Sequence, residues 1–210
     1  MTSDASDHDP RAPHSIADID ARGGAPAARD GVRTSEGPRG LLTVRAARPE
    51  DAARVARLLC LRAGTSVDEA RQQAPAMIEN LPALVIATLT PDGVGADDED
   101  AEALAVPVAL SGAFFLPEGM FDDDGWMVTG LLIDPDVRRG GIGRAVLAEL
   151  VRQVGALQPG AVLQTFVDAT HHAALAMHLS VGFHRVEERQ SFAGMEMPDG
   201  GMVLAVVCPG

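Results

Sequence analysis

Between Asp134 and Arg144 the chain reads D-P-D-V-R-R-G-G-I-G-R, a concentration of arginines and glycines with a definite chemical use. Arg138, Arg139 and Arg144 offer fork-shaped donors suited to paired oxyanion oxygens. Gly140, Gly141 and Gly143 carry no side chain that would hold such a group off the backbone. From Ile142 onward Val146, Leu150 and Val154 recur every fourth residue with Leu147 and Val151 beside them, so the stretch opens an amphipathic helix. The first turn of a helix presents N–H groups with no intrahelical partner and the positive end of the dipole, and the whole reads as a pyrophosphate cradle. A second group of candidates is His171, His172, His178 and His184. His171 and His178 are two helical turns apart, within about 20° of one face and about 10 Å along the axis, and an imidazole near neutrality can give or take a proton. Neutral imidazole is also a common zinc ligand, but the i, i+4 helical pair is absent and no metal is expected. A third group is acidic: Glu118, Asp122, Asp123 and Asp124, just ahead of an apolar run.

That run, Met127 to Ile133, ends at Asp134-Pro135 and reads as a buried strand, in which Gly130 marks a bulge or a close backbone approach. Upstream, Leu42 to Arg45 reads as a strand. Arg48-Pro49-Glu50-Asp51 starts a helix, with proline near its beginning and acids in the first turn, and Val55, Leu58 and Leu59 form its apolar face. Ser66 and Glu69 make a capping box for a second helix, which Pro75 should kink or end. Strands are expected over residues 83–89 and 106–115, separated by a Pro91-Asp92-Gly93 turn and an acidic segment, Gly95 to Ala103, whose self-repulsion argues for a mobile loop. Downstream come a strand at 161–167 and a helix from about His171. Closing strands at 185–192 and 202–207 are expected to join through Pro198-Asp199-Gly200-Gly201. Strands and helices mixed in this order, with few βαβ units, indicate an α+β sheet. Residues 1–40 lack periodicity and are rich in Asp, Ala, Gly, Pro and Ser, so a disordered tail is expected before a domain spanning 41–210.

The chain has 17 basic residues, all arginine, against 30 acids, a net charge of −13. That balance argues against nucleic-acid binding and favours a cationic partner. Cys60 and Cys208 stand in apolar surroundings without C-x-x-C pairing and read as reduced core residues. No apolar run approaches the roughly 20 residues of a membrane span, and the first thirty residues hold no signal-peptide core, so a cytoplasmic protein without a membrane role is expected.

Arg138-Arg139-Gly140-Gly141-Ile142-Gly143 resembles the R/Q-x-x-G-x-G/A signature of the GNAT superfamily of N-acetyltransferases. The block H-H-A-A-L-A-M-H-L-S-V-G-F, His171 to Phe183, resembles its later motif N-x-x-A-x-x-x-(Y/H)-x-x-x-G-F, and a weaker likeness runs from Leu42 to Val207. The resemblance implies a three-layer α+β fold: a mixed, mostly antiparallel sheet, splayed at its centre and flanked by helices. It implies acetyl-CoA as co-substrate, with Leu131, Leu132 and Ile133 pairing with the pantetheine arm and Arg138 to Arg144 holding the pyrophosphate. His171 replaces the family's cofactor-facing Asn. His178 holds the Tyr/His position, where the family's side chain is assigned to protonating the thiolate, and the chain has no Tyr. The acid that many members carry on the central strand is missing from Trp126-Met127-Val128-Thr129. The base is therefore left among Glu118, Asp122 to Asp124, a histidine or a water chain, with Trp126 packing beside the cleft or the core. The implied activity is transfer of an acetyl group to a primary amine, small or peptidic, by direct attack in a ternary complex; the alternative is a non-catalytic acyl-CoA-binding module. Dimerisation is common in the family. A dinucleotide site fails on spacing, since the sixth position of G-x-G-x-x-G falls on Val146.

Overall fold

The computed structural model describes residues 33–37 as backbone, together with 40–62, 64–94, 101–118, 125–138 and 140–210. The strands are β1 Arg33–Gly37, β2 Gly40–Ala46, β3 Ala83–Thr90, β4 Val106–Leu116, β5 Gly125–Ile133, β6 Val162–Asp168, β7 His184–Phe192 and β8 Met195–Val207. The helices are α1 Ala52–Leu59, α2 Val67–Asn80, α3 Ala101–Leu104, α4 Ile142–Leu157 and α5 His172–Val181. All eight strands form one sheet in the order β1-β2-β3-β4-β5-β6-β8-β7, antiparallel except between β5 and β6.

Alternation along the strands divides the core into layers. Val85 and Ala87 on β3, with Leu42 and Val44 on β2, face α4 and its Val146, Leu147, Leu150 and Val154. Leu84 and Ile86 point the other way, with Leu110, toward Val55, Leu58 and Leu59 of α1 and Ala70 and Ala74 of α2. A smaller cluster of Leu116, Met127, Phe166, Phe192 and Val203 lies under the β7–β8 hairpin. This is the three-layer α+β architecture expected.

Two local readings hold in atomic detail. Ser66 Oγ accepts the Glu69 N–H at 3.2 Å while the Glu69 carboxylate accepts the Ser66 N–H at 2.8 Å. Pro49 opens a short 3₁₀ turn leading into α1, and the buried Asp51 side chain accepts the Arg48 N–H at 2.9 Å.

Others are corrected. The sheet begins at Arg33, inside the segment expected to be a tail, because Arg33 to Gly37 pair antiparallel with β2. Pro75 does not end α2, which runs from Val67 to Asn80 with Pro75 exposed. Of the acidic segment, 95–100 lies outside the described residues, while Ala101–Leu104 forms a helical turn held by Arg45 Nη2 on Glu102 at 3.0 Å. The closing hairpin turns at Ala193-Gly194, between the paired Phe192 and Met195, both residues having positive φ as a two-residue type I′ turn requires. Pro198 to Gly201 instead sit within β8, where the register jumps from Ser191↔Glu196 to Arg189↔Gly201. Cys60 is exposed; Cys208 is buried, and burial pushes its thiol up to about 11.

Candidate active site

The centre of the sheet opens. β5 and β6 pair only at Trp126↔Leu163 and Met127↔Gln164. Beyond that point β6 stays with β8 as far as Asp168↔Gly201, and β5 stays with β4 as far as Ile133↔Ala109. Residues 128–133 of β5 therefore have no strand partner on the β6 side among the described residues. The divergence coincides with a bulge: Ser111 pairs with Leu131 and Ala113 with Val128, so Gly112 faces both Thr129 and Gly130. Gly130 takes φ 112°, a conformation that favours glycine. Side chains replace the ladder there. Ser111 Oγ donates to the Gly130 carbonyl at 2.8 Å, and Thr129 Oγ1 accepts the Gly112 N–H at 3.2 Å and donates to its carbonyl at 3.3 Å.

Leu131, Leu132 and Ile133, each half-buried, carry β5 to the start of α4. Asp134 accepts the Asp136 N–H at 3.0 Å and forms the turn between them. Gly141 is the helix N-cap with φ 76°, is exposed, and has no side chain to cap the helix. The first intrahelical bond runs from the Ala145 N–H to the Gly141 carbonyl at 3.0 Å. The N–H groups of Ile142, Gly143 and Arg144 thus have no acceptor among the described residues. Arg138 and Arg144 are exposed and form no ion pair among the described residues; Arg139 lies outside them. An uncapped helix start between exposed guanidinium groups fits a polyanionic phosphate.

Gly143 serves a different purpose from the one expected. It is buried, and a Cβ there would stand 2.6 Å from Met177 Sδ, 2.7 Å from Ile133 Cδ1 and 3.2 Å from Leu131 Cδ2. Its missing side chain lets α4 sit close against β5 and α5. Gly140 is half-buried and Gly141 faces solvent, so these two line the approach to the helix start.

The Asp168 carboxylate accepts both the N–H and the hydroxyl of Thr170 at 2.7 Å, closing the turn from β6 into α5. The expectation that His171 and His178 share one helical face is corrected. His171 is the exposed N-cap with φ −83° and ψ 68°, outside the helix proper, while His178 is buried. Burial draws the His178 imidazole below the ordinary histidine value, partly opposed by its bond to the Ala174 carbonyl. His178 Nδ1 lies 2.8 Å from that carbonyl, which can only accept, so Nδ1 carries the proton and Nε2 is left as a bare acceptor. Among the described residues Nε2 has no protein partner, and it is not a fully buried orphan, so it opens to the surface. The ring also packs edge-on against Phe183, with centroids 5.3 Å apart. His172 and His184 are exposed.

Of the acidic group only Glu118 is described, and it does not reach this site. Asp122, Asp123 and Asp124 lie outside the described residues. Glu118 is exposed, two residues past the end of β4, and that end is itself about 13 Å of strand rise from Gly112, away from α4's start. Among the described residues no group of three His, Cys, Asp or Glu is placed to hold a metal. Trp126 packs in the core and its Nε1–H donates to Gln158 Oε1 at 2.7 Å. Sequence reading missed Ser111, whose partner is a backbone carbonyl nineteen residues away. The glycine at 130 is the one local signal of the bulge that Ser111 stitches.

Residues 116–200 match the family model of the acetyltransferase (GNAT) domain, and they hold β5, α4 and α5. The chain carries the GNAT fold. An acetyltransferase of the GNAT family from Streptococcus pneumoniae superposes with TM-score 0.55 at 15% identity, over 80% of this chain and 99% of that one. A GNAT superfamily phosphinothricin acetyltransferase from Sinorhizobium meliloti, in complex with acetyl-CoA, gives TM-score 0.55 at 17% identity over 80% and 89%. The ribosomal-protein-alanine N-acetyltransferase of Brucella melitensis gives 0.54 at 16% over 78% and 98%. No curated protein matches the sequence. No helix among the described residues is long and apolar enough to cross a membrane.

Proposed function

We propose that the protein is an acyl-CoA-dependent N-acetyltransferase that moves an acetyl group from acetyl-CoA to a primary amine by direct attack in a ternary complex. The observation that carries this is the junction of β5 and α4: a strand edge freed by the splay, running into a helix start whose N–H groups are uncapped and flanked by Arg138 and Arg144. It is supported by the GNAT domain match and by the acetyl-CoA-bound neighbour of the same fold. Acetyl-CoA supplies a thioester whose C–S bond breaks as the amine nitrogen bonds to the acetyl carbon; the ammonium gives up two protons on its way to the amide, one released through the base to solvent and one ending on the leaving sulfur. The chain's own residues bind and orient. Backbone groups of Leu131, Leu132 and Ile133 hold the pantetheine arm; Arg138, Arg139, Gly140, Gly141, Ile142, Gly143 and Arg144 hold the pyrophosphate; exposed His171 borders the same cofactor.

His178 is the catalytic candidate the geometry supports, with a changed role. A neutral imidazole whose Nδ1–H is engaged presents Nε2 as an acceptor, which suits accepting the amine's proton and not protonating a thiolate. Glu118, beyond the end of β4, stays in the proposal as an acid that attracts a cationic acceptor, and Asp124, outside the described residues, stays as a candidate for the same chemistry. The same acidic balance favours polyamine, amino-sugar, lysine or protein N-terminal acceptors over nucleic acid. A cytoplasmic protein, as monomer or homodimer, suits this reading. A non-catalytic acyl-CoA-binding module is not favoured, because the domain match and the neighbours are acetyltransferases.

The test is calorimetric titration with acetyl-CoA and with NAD, on the wild type and on an Arg138→Ala/Gly141→Glu variant, followed by turnover with an amine panel. Binding of acetyl-CoA that the folded variant loses, with NAD silent, is expected. Folded wild-type protein that fails to bind acetyl-CoA would sink the reading, and binding without turnover of any amine would leave only the module.

A further inference from the structure

We propose that a second small-molecule site lies on the α1–α2 face of the sheet, over the β2–β3 pair, and takes an uncharged polyhydroxy compound about the size of a tetritol or monosaccharide. It rests on different residues from the acetyl-transfer reading. The cavity there measures about 220 Å³. Its floor continues the face of β3 that carries Leu84 and Ile86, but at Thr88 and Thr90 that face turns from apolar to hydroxylic. Thr43 joins them from β2, where it is the register partner of Thr88.

These hydroxyls are what the cavity offers. Thr88 and Thr90 are 5% and 4% exposed, yet none of the three threonine hydroxyls bonds to protein among the described residues. They are not sealed orphans either, so their oxygens open into the cavity. Buried hydroxyls require hydrogen-bond partners, and here only the cavity's contents can supply them. The spacing favours a molecule over one bridging water. Thr43 and Thr88 are cross-strand neighbours with Cβ atoms about 5 Å apart, while Thr90 lies about 7 Å further along β3, beyond the reach of a water already bonded to the other two. A volume equal to roughly seven waters holds a short polyol chain or a sugar ring.

The charges on the walls cancel, which sets the ligand's class. Arg45 gives both Nη atoms to Asp51, at 2.6 and 3.0 Å, and reaches Glu102 at 3.0 Å. Arg54 bonds Asp51 at 3.0 Å and lies 3.5 Å from Glu102. Arg48, which also lines the cavity, lies 4.0 Å from Glu50, so three guanidinium groups stand against three carboxylates. Leu41, Ala101 and Ala105 complete the wall with apolar surface suited to the C–H side of a polyol.

The experiment uses the full chain with its threonine methyls ¹³C-labelled, titrated with erythritol and with D-glucose, with succinate and putrescine as charged probes. Saturable shifts at Thr43, Thr88 and Thr90 with one of the uncharged probes are expected, Thr165 on β6 staying still. Thr88→Val/Thr90→Val should weaken that binding about tenfold or more. The wild-type methyl map stands even if the double variant does not fold. No saturable shift with either uncharged probe, a response shared by Thr165, or tighter binding of succinate or putrescine would each overturn the proposal. Equal shifts on adding acetyl-CoA would make the cavity part of the transfer site and overturn its independence.

Discussion

Gly143→Ala separates the structural from the ligand-binding role of the α4 start. The added methyl would meet Met177 Sδ at 2.6 Å, Ile133 Cδ1 at 2.7 Å and Leu131 Cδ2 at 3.2 Å, all side-chain atoms that can yield. Overpacking of this kind costs about 1–3 kcal/mol, and alanine for glycine within a helix returns up to about 1 kcal/mol. The net loss is then about 0–3 kcal/mol, which for a domain of this size lowers Tm by at most about 12 °C. The way those atoms yield matters more. α4's first turn moves off β5, the uncapped N–H groups move with it, and acetyl-CoA binding should weaken about five- to twentyfold, or about 1–2 kcal/mol. Gly155→Ala is the control at the other end of the same helix. Its Cβ would stand 1.8 Å from the Pro209 carbonyl oxygen, a backbone atom that cannot rotate away, so the stability loss should be the larger of the two. Calorimetric Tm and acetyl-CoA Kd, measured on both variants, give a double dissociation: Gly155→Ala less stable with Kd unchanged, Gly143→Ala modestly destabilised with Kd raised. If Gly143→Ala keeps the wild-type Kd, the α4 start is not the phosphate site.

Other expectations follow from single contacts. Burial pushes the Asp51 carboxyl up, but bonds from Arg45, the Arg48 N–H and Arg54 outweigh it and hold it below the usual carboxylate range. A depressed folded value means that its stabilisation is complete above the unfolded carboxylate pKa and is lost as pH falls through the folded one. Asp51→Asn should cost about 3–5 kcal/mol in urea unfolding at pH 7 and flatten the acid limb of stability against pH; an unaltered limb would contradict this. His178→Gln should lower kcat about a hundredfold or more and remove an acid-side fall in rate centred below the ordinary histidine pKa. Loss of stability without a change in that profile would make His178 structural. Ser111→Ala should raise the acetyl-CoA KM several-fold while costing about 1 kcal/mol of stability, the value of one hydrogen bond; an unchanged KM would show the bulge to be held by Gly130 alone.

The parts of this fold that were legible in the sequence are those with a local cause. The α4 start announces itself through its glycines, the capping box of α2 through Ser66 and Glu69, and the buried strands through apolar runs. What escaped has causes far along the chain. Arg33 to Gly37 is a polar segment with no pattern of its own, and it becomes a strand because β2 offers it a free edge. The Pro198 to Gly201 cluster carries the strongest turn signal near the C-terminus, yet the chain turns at Ala193-Gly194. A Cβ on Gly201 would stand 2.2 Å from the Phe166 ring, so that glycine is required by packing against β6 and not by a reversal. Pro75 reads as a breaker by propensity, but it falls on the exposed side of α2 while Ala70 and Ala74 hold the helix to α1. The site divides in the same way: its phosphate-binding half is a local motif, whereas the bulge that shapes the β5 edge is tied by Ser111 to a carbonyl nineteen residues away.

The cleft itself can be traced to a single extra residue. β5 leaves β6 after Met127, and two residues later Thr129 and Gly130 together oppose Gly112 on β4. A bulge raises the local twist of its strand and bends it, so the residues beyond, Leu131 to Ile133, rotate with β4 and away from β6. The bend delivers Leu131 and Ile133 against Gly143, which fixes where α4 begins. The strand edge and the uncapped helix start are therefore not separate features that meet by coincidence. Removing the insertion would restore β5–β6 pairing and turn the α4 start off its present line at once. Such a bulge lacks ladder bonds of its own, and the Ser111 and Thr129 hydroxyls supply them where a regular pair of strands would need no side chain.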